Sequence, residues 1–162
     1  MDLILIGGVS GSGKGVALAA LEDSGYYSAS HLPMPLILET VEYLRRAGQE
    51  RIAVTLDLRT DHGIASLGDT LAVLRAAGWN VRFLMLDAKT DTLVKRFSET
   101  RRRHPFSSDA RTLTEAIDHE RQLLSEVRDL GFVFDTSDLP AAALRSPIRS
   151  RSRRAPTGAG AP

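Results

Sequence analysis

The chain has 162 residues, enough for about one globular domain, and its 43% hydrophobic and 25% charged composition suits a domain that buries a core. The absence of cysteine rules out disulfides, thiolate metal sites and cysteine nucleophiles, and an aromatic content of 6% leaves the core to aliphatic side chains. The formal charge is +1, yet residues 145–162 hold Arg145, Arg149, Arg151, Arg153, Arg154 and no acid; removing those five charges leaves residues 1–144 at −4, which argues against a strongly basic nucleic-acid-binding body.

In chain order, Leu3–Ile6 reads as a buried strand running into a glycine-rich turn. Four apolar residues behind an acidic Asp2 are too few for a membrane span or a secretory signal, so a cytoplasmic protein without membrane contact is expected. Val16, Ala17, Leu18, Ala20 and Leu21 predict a helix ending at Gly25, and Tyr26–Ser28 a short strand. Leu32 to Gln49 reads as a helix with Leu36, Ile37, Val41 and Leu44 on one side. Ile52–Leu58 is the next strand, followed by a polar turn through Thr60, Asp61, His62 and Gly63 and a helix from about Ser66 to Ala77. Val81–Leu86 reads as a buried strand, Thr90–Arg103 as an amphipathic helix stopped by Pro105, and Leu113–Leu130 as a long helix. Phe132–Phe134 is the last strand, and Asp138 to Arg145 has the pattern of a helix start interrupted by Pro147.

Five strands separated by helices predict an α/β fold with a mostly parallel sheet and helices on both faces. Residues 1–145 are expected to form this domain. Residues 146–162 are Ser/Arg-rich and then Pro/Gly/Ala-rich, and predict a disordered basic tail.

The sharpest motif is Gly8-Val9-Ser10-Gly11-Ser12-Gly13-Lys14-Gly15, a G-x-x-x-x-G-K sequence between a predicted strand and a predicted helix. Glycines let the backbone wrap closely around phosphates, the helix start adds unpaired N–H groups and a favourable dipole, and Lys14 is the cation for the outer phosphates. The plainer alternative is a glycine-rich turn with a surface lysine, which does not account for the order strand, loop, lysine, helix. A dinucleotide fingerprint is rejected because Val16 occupies the place of its third glycine. Gly15 stands where such loops supply the Ser or Thr that coordinates magnesium, so Mg2+ positioning is expected to be weakened unless Ser12 or a water compensates. The motif thus predicts a three-layer P-loop NTPase or small-kinase-like domain.

Asp57, closing the run Ile52–Leu56, is the better candidate for holding magnesium and for a catalytic contribution, because ligands bind at the carboxyl edge of a parallel sheet. Asp87 is a second candidate; either acid would serve equally well as a turn or capping group. Arg59 beside Asp57 is placed to reach a phosphate or pair with an acid. Arg101-Arg102-Arg103-His104-Pro105 leaves a helix ahead of a polar loop, and guanidinium groups there, those of Arg102 or Arg103 in particular, suit closure over phosphates as well as a solvated helix end. His31, His62, His104 and His119 show no metal-ligand spacing.

Taken together, Gly8–Lys14, Leu21-Glu22-Asp23, Gly25-Tyr26-Tyr27, Leu32-Pro33, Asp57-Leu58-Arg59, Leu86-Asp87-Ala88, Arg96 to Pro105, Glu120-Arg121 and Asp135-Thr136-Ser137 resemble the amino-terminal domain of the RapZ/YvcJ family of P-loop RNase adapter proteins over about residues 1–145. The resemblance implies binding of ATP and GTP with weak hydrolysis. It assigns Gly8, Val9, Ser10, Gly11, Ser12, Gly13, Lys14 and Gly15 to the ATP segment and Asp57, Leu58, Arg59 and Thr60 to a GTP segment. It further implies a small RNA or an endoribonuclease as partner, through a carboxy-terminal second domain that this sequence does not show after Arg145; a shortened product or a natural short form would each explain that junction. Two departures stand out: Gly15 for the family's Ser or Thr, and Ser30-His31 for its Asp-Asn. The expectation is a nucleotide-binding domain with weak or absent hydrolysis, with a small-molecule kinase and a non-enzymatic RNA or protein adapter as alternatives.

Overall fold

A computed structural model describes residues 1–58, 61–100, 104–106 and 112–137. In order, the elements are β1 (Asp2–Gly8), α1 (Lys14–Asp23), β2 (Tyr27–Pro33), α2 (Ile37–Arg46), β3 (Arg51–Asp57), α3 (Asp61–Ala76), β4 (Asn80–Asp87), α4 (Thr90–Thr100), α5 (Leu113–Leu124) and β5 (Phe132–Asp135). All five strands are parallel, in the order β2-β3-β1-β4-β5.

Alternation along β1 separates the two faces. Leu3 and Leu5 join Val54, Leu56, Phe83 and Met85 in a core closed by Ile37 and Val41 of α2, Leu67 and Leu71 of α3, Leu93 of α4, and Ile117 and Leu124 of α5. Ile4 and Ile6 point the other way and meet Ala17, Leu18 and Leu21 of α1. The sheet therefore lies between two helical layers, as the alternating pattern predicts. Its central strand is sealed from Leu3 to Gly8, whereas the edge strands β2 and β5 are largely exposed.

Three boundaries differ from the sequence reading. Leu32 and Pro33 pair with Leu56 and Asp57, so they end β2 rather than opening a helix. Pro33 and Pro35 delay the helix further, and a 3-10 turn at Met34–Leu36 precedes α2. The residues read as a polar turn, Asp61 to Gly63, form the first turn of α3, where backbone N–H groups need no helical partner. The long last helix stops at Leu124 and tightens into a 3-10 segment, Ser125–Leu130, where the Ser125 hydroxyl donates to the Gln122 carbonyl at 2.7 Å. At the other end of α5, Thr112 and Glu115 make a capping pair in which the threonine oxygen accepts the Glu115 amide. The expected helix start after Asp138 and the tail 146–162 lie outside the described residues.

The β2 pairing is interrupted between Ala29 and Leu32, and His31 there takes a φ of 54° while its amide donates to Thr55 Oγ1 at 2.8 Å. A left-handed backbone conformation costs roughly 1–2 kcal/mol for most side chains, and asparagine tolerates it better than histidine. Replacing this exposed side chain, His31→Asn, should stabilise the fold by about 0.5–1 kcal/mol, read as a higher thermal midpoint; an unchanged or lower midpoint would contradict the strain argument.

Candidate functional site

β1 is the middle strand, and it delivers Gly8 to the carboxyl edge beside Leu86 of β4. The two backbones stay in contact as the chain turns, because the Val9 amide donates to the Leu86 carbonyl at 3.1 Å. No side chain fits there: a β-carbon on Gly8 would lie 2.5 Å from that carbonyl oxygen. Gly13, with φ of 102°, caps α1, and Ala17 donates to its carbonyl at 3.0 Å. The loop is thus a turn between the most deeply buried strand and a helix start, the arrangement that leaves helix amides facing outward at an anion.

Inside the loop the Ser12 amide donates to the Val9 carbonyl at 3.0 Å, and the Lys14 ammonium reaches back to the Gly8 carbonyl at 3.1 Å. Among the described residues, the amides of Gly11, Gly13 and Gly15 have no protein acceptor. Gly15 sits in the first turn of α1 with nothing within 4 Å of where its β-carbon would stand. Ser12 does not replace the hydroxyl absent at Gly15. Its side chain is fully buried, and its Oγ, which has no hydrogen-bond partner among the described residues, lies on the Gly8 side of the loop.

The outside of the loop is held by groups from far along the chain. The Arg96 guanidinium of α4 donates to the Gly11 carbonyl at 3.1 Å, to Thr136 Oγ1 at 3.0 Å and to the Thr136 carbonyl at 2.6 Å. Thr136, directly after β5, donates its hydroxyl to the Ser12 carbonyl at 2.8 Å. Phe97 covers Gly11 so closely that a β-carbon there would be 3.0 Å from its ring. From α5, the buried Glu120 carboxylate accepts the Ser10 amide at 2.6 Å, the Ser10 hydroxyl at 2.7 Å and His104 Nε2–H at 3.1 Å. The neighbouring Asp135 carboxyl is held below the usual carboxylate range by the Ser137 hydroxyl and amide that donate to it.

Of the two acids singled out in the sequence, Asp57 closes β3, half-buried, opposite Pro33. Asp87 at the end of β4 is engaged by two guanidinium groups, Arg128 at 2.9 Å and Arg121 at 3.4 Å, and its Oδ1 also accepts the Ala88 amide. Leu58 is buried in the core. Arg59, Thr60, Arg102 and Arg103 lie outside the described residues. Sequence reasoning gave no role to Glu120, Arg121 or Arg96. One signal was present for Glu120: it shares the apolar stripe of α5 with Ile117 and Leu124, where an acid must be buried and therefore partnered.

The model of the RapZ-like N-terminal domain family matches residues 1–155. The chain belongs to that family. Its curated relatives include a nucleotide-binding protein of Laribacter hongkongensis, 51% identical over 156 residues that make up 96% of this chain and 55% of the relative. A nucleotide-binding protein of Thiobacillus denitrificans is 50% identical over 145 residues, 90% of this chain and 52% of the relative. The chain thus spans about half the length of the curated relatives it matches. Among solved structures, the tunicamycin resistance protein of Deinococcus radiodurans superposes with a TM-score of 0.64 at 16% identity, covering 95% of this chain and 96% of that one. A gluconokinase from Sinorhizobium meliloti gives 0.59 at 19% identity, with 93% and 91% coverage. At such identities these two establish the fold alone, an α/β three-layer domain with a parallel central sheet. No helix among the described residues is long and apolar enough to cross a membrane.

The two ends of the loop should respond oppositely to one added methyl. Gly15→Ala has space in a helical turn and should stabilise by up to about 1 kcal/mol. Gly8→Ala must push against the Leu86 backbone and should cost about 2 kcal/mol or more, in the range of severe backbone strain and overpacking. Urea unfolding of the two variants checks this, and equal effects would contradict the loop geometry.

Proposed function

We propose that this domain binds a nucleoside triphosphate, ATP or GTP, through the Gly8–Gly15 loop, and that it hydrolyses it weakly or not at all. The observation that carries this reading is the loop itself: a turn at the end of a buried central strand, with Lys14 folded over it and the amides of Gly11, Gly13 and Gly15 uncommitted. Family membership supports it, as do the nucleotide-binding proteins among its relatives. Backbone amides and one ammonium suffice to hold phosphate oxygens, and each charge-assisted hydrogen bond is worth roughly 1.5–3 kcal/mol.

The donor set does not fit a magnesium ion held by side chains. Gly15 supplies no oxygen, Ser12 is sealed inside, and no group of three acids or histidines among the described residues is arranged to hold a metal. Asp57 remains the acid best placed at the edge, and Lys14, Arg102 and Arg103 are the cations proposed to neutralise phosphate charge. Binding with little dependence on magnesium, and slow turnover at most, follows from this set. A cytoplasmic setting and delivery of a small RNA to an endoribonuclease are further proposals, drawn from the family resemblance.

A second reading, transfer of phosphate to a small acceptor, rests on the fold shared with the gluconokinase; an open cleft lined by Ile64 and Ala65 of α3, His119, Gln122 and Leu123 of α5, and Glu126 gives it a place to look for that acceptor. It predicts phosphate transfer to an acceptor faster than to water.

Calorimetric titration with ATP and with GTP, each with and without magnesium, tests the primary reading. Lys14→Ala should weaken binding about 10–100-fold, the loss of one charge-assisted contact. Gly15→Ser, which the open space at that position accommodates, should make binding and hydrolysis more magnesium-dependent than in the parent chain. Absence of nucleotide binding by the folded parent would overturn the proposal, and strong magnesium dependence in the parent would overturn its account of Gly15.

A further inference from the structure

We infer that Glu120 is the positioning residue of the phosphate loop, and that it ties the state of the loop to His104. This deepens the nucleotide-binding reading and rests on it. Glu120 is 3% exposed, and each of its three partners is a donor: the Ser10 amide and the His104 Nε2–H on Oε1, and the Ser10 hydroxyl on Oε2. The histidine tautomer follows from its other nitrogen. Nδ1 accepts the Phe106 amide at 3.1 Å, so the ring proton lies on Nε2, facing the carboxylate.

Two consequences follow for the loop. Glu120 claims the Ser10 amide, which turns that N–H away from any anion lying over the loop and leaves the presentation of amides to Gly11, Gly13 and Gly15. Its partner His104 lies 5.2 Å from the Phe97 ring, centroid to centroid, and Phe97 is the ring that covers Gly11. One buried cluster therefore grips Ser10 by hydrogen bonds and Gly11 by contact. Since Ser10 N–H and His104 Nε2–H share Oε1, a shift of Ser10 on phosphate entry would alter the hydrogen bond of His104.

The test uses the full chain, inorganic triphosphate and ATP as probes, and adenosine as a probe without phosphate. Glu120→Ala is expected to weaken triphosphate and ATP by 10–100-fold while leaving any adenosine binding unchanged. Glu120→Gln keeps one oxygen for the two N–H donors and offers its amide to the Ser10 hydroxyl, and is expected to recover binding to within about threefold of the parent. Nitrogen NMR of His104 provides a readout that a merely structural role would not move. The Nε2–H tautomer should be present in the parent and in Glu120→Gln, and its signal should shift when triphosphate is added. If Glu120→Ala does not fold, Ser10→Ala, which removes a single bond, should still weaken triphosphate by 3–10-fold. Parent-like triphosphate binding in either alanine variant, or a His104 signal indifferent to triphosphate, overturns the proposal. A parent chain that binds neither triphosphate nor ATP overturns the nucleotide reading together with it.

Discussion

Where β1 runs out beside β4, the two backbones remain so close that the chain can turn only through a residue without a side chain, and the rest of the site depends on that approach. It lets Val9 donate to the Leu86 carbonyl and sends the following residues over the edge of the sheet rather than along it. The turn is set on the strand that is buried on both faces, so its base is anchored in the core of the fold. A loop that presents amides to solvent cannot satisfy its own backbone. It must be braced from outside, and the bracing groups are therefore as much a part of the site as the glycines.

Those braces come from residues more than 80 positions away. Arg96 and Thr136 hold the carbonyls of Gly11 and Ser12, while Glu120 takes both donors of Ser10. The next residue on α5, Arg121, donates to the Ala88 carbonyl and to Thr90, so one turn of one helix secures both the loop and the exit of β4. Asp87, at the end of β4, is bound by two guanidinium groups, Arg121 and Arg128, and so belongs to the same bracing.

Gly15 is the point at which this chain departs from the chemistry its loop otherwise suggests. The first turn of α1 has room for a side chain at that position, so the absence of a hydroxyl is a property of the sequence and not a demand of the packing. The same is true in reverse of His31, where the backbone calls for a left-handed conformation and the sequence supplies a histidine. At Gly8 packing dictates the residue; at Gly15 and His31 it does not.

The sequence by itself determined the strands, most helices and the phosphate loop, because these are local: apolar runs of four to six residues, a glycine-rich turn, a lysine and a helical period all lie within a few positions of one another. It misplaced the start of α2, where strand pairing of Leu32 and Pro33 with β3 prevailed over a helical pattern, the start of α3, whose first turn is polar, and the end of α5, where the Ser125 hydroxyl turns back on the Gln122 carbonyl. Only the tertiary structure decided what surrounds the loop. Glu120 and His104 are 16 residues apart, and Glu120 and Ser10 are 110 apart. No period or spacing encodes such pairings; they arise when the crossover helices dock on the sheet and a buried carboxylate must find its donors.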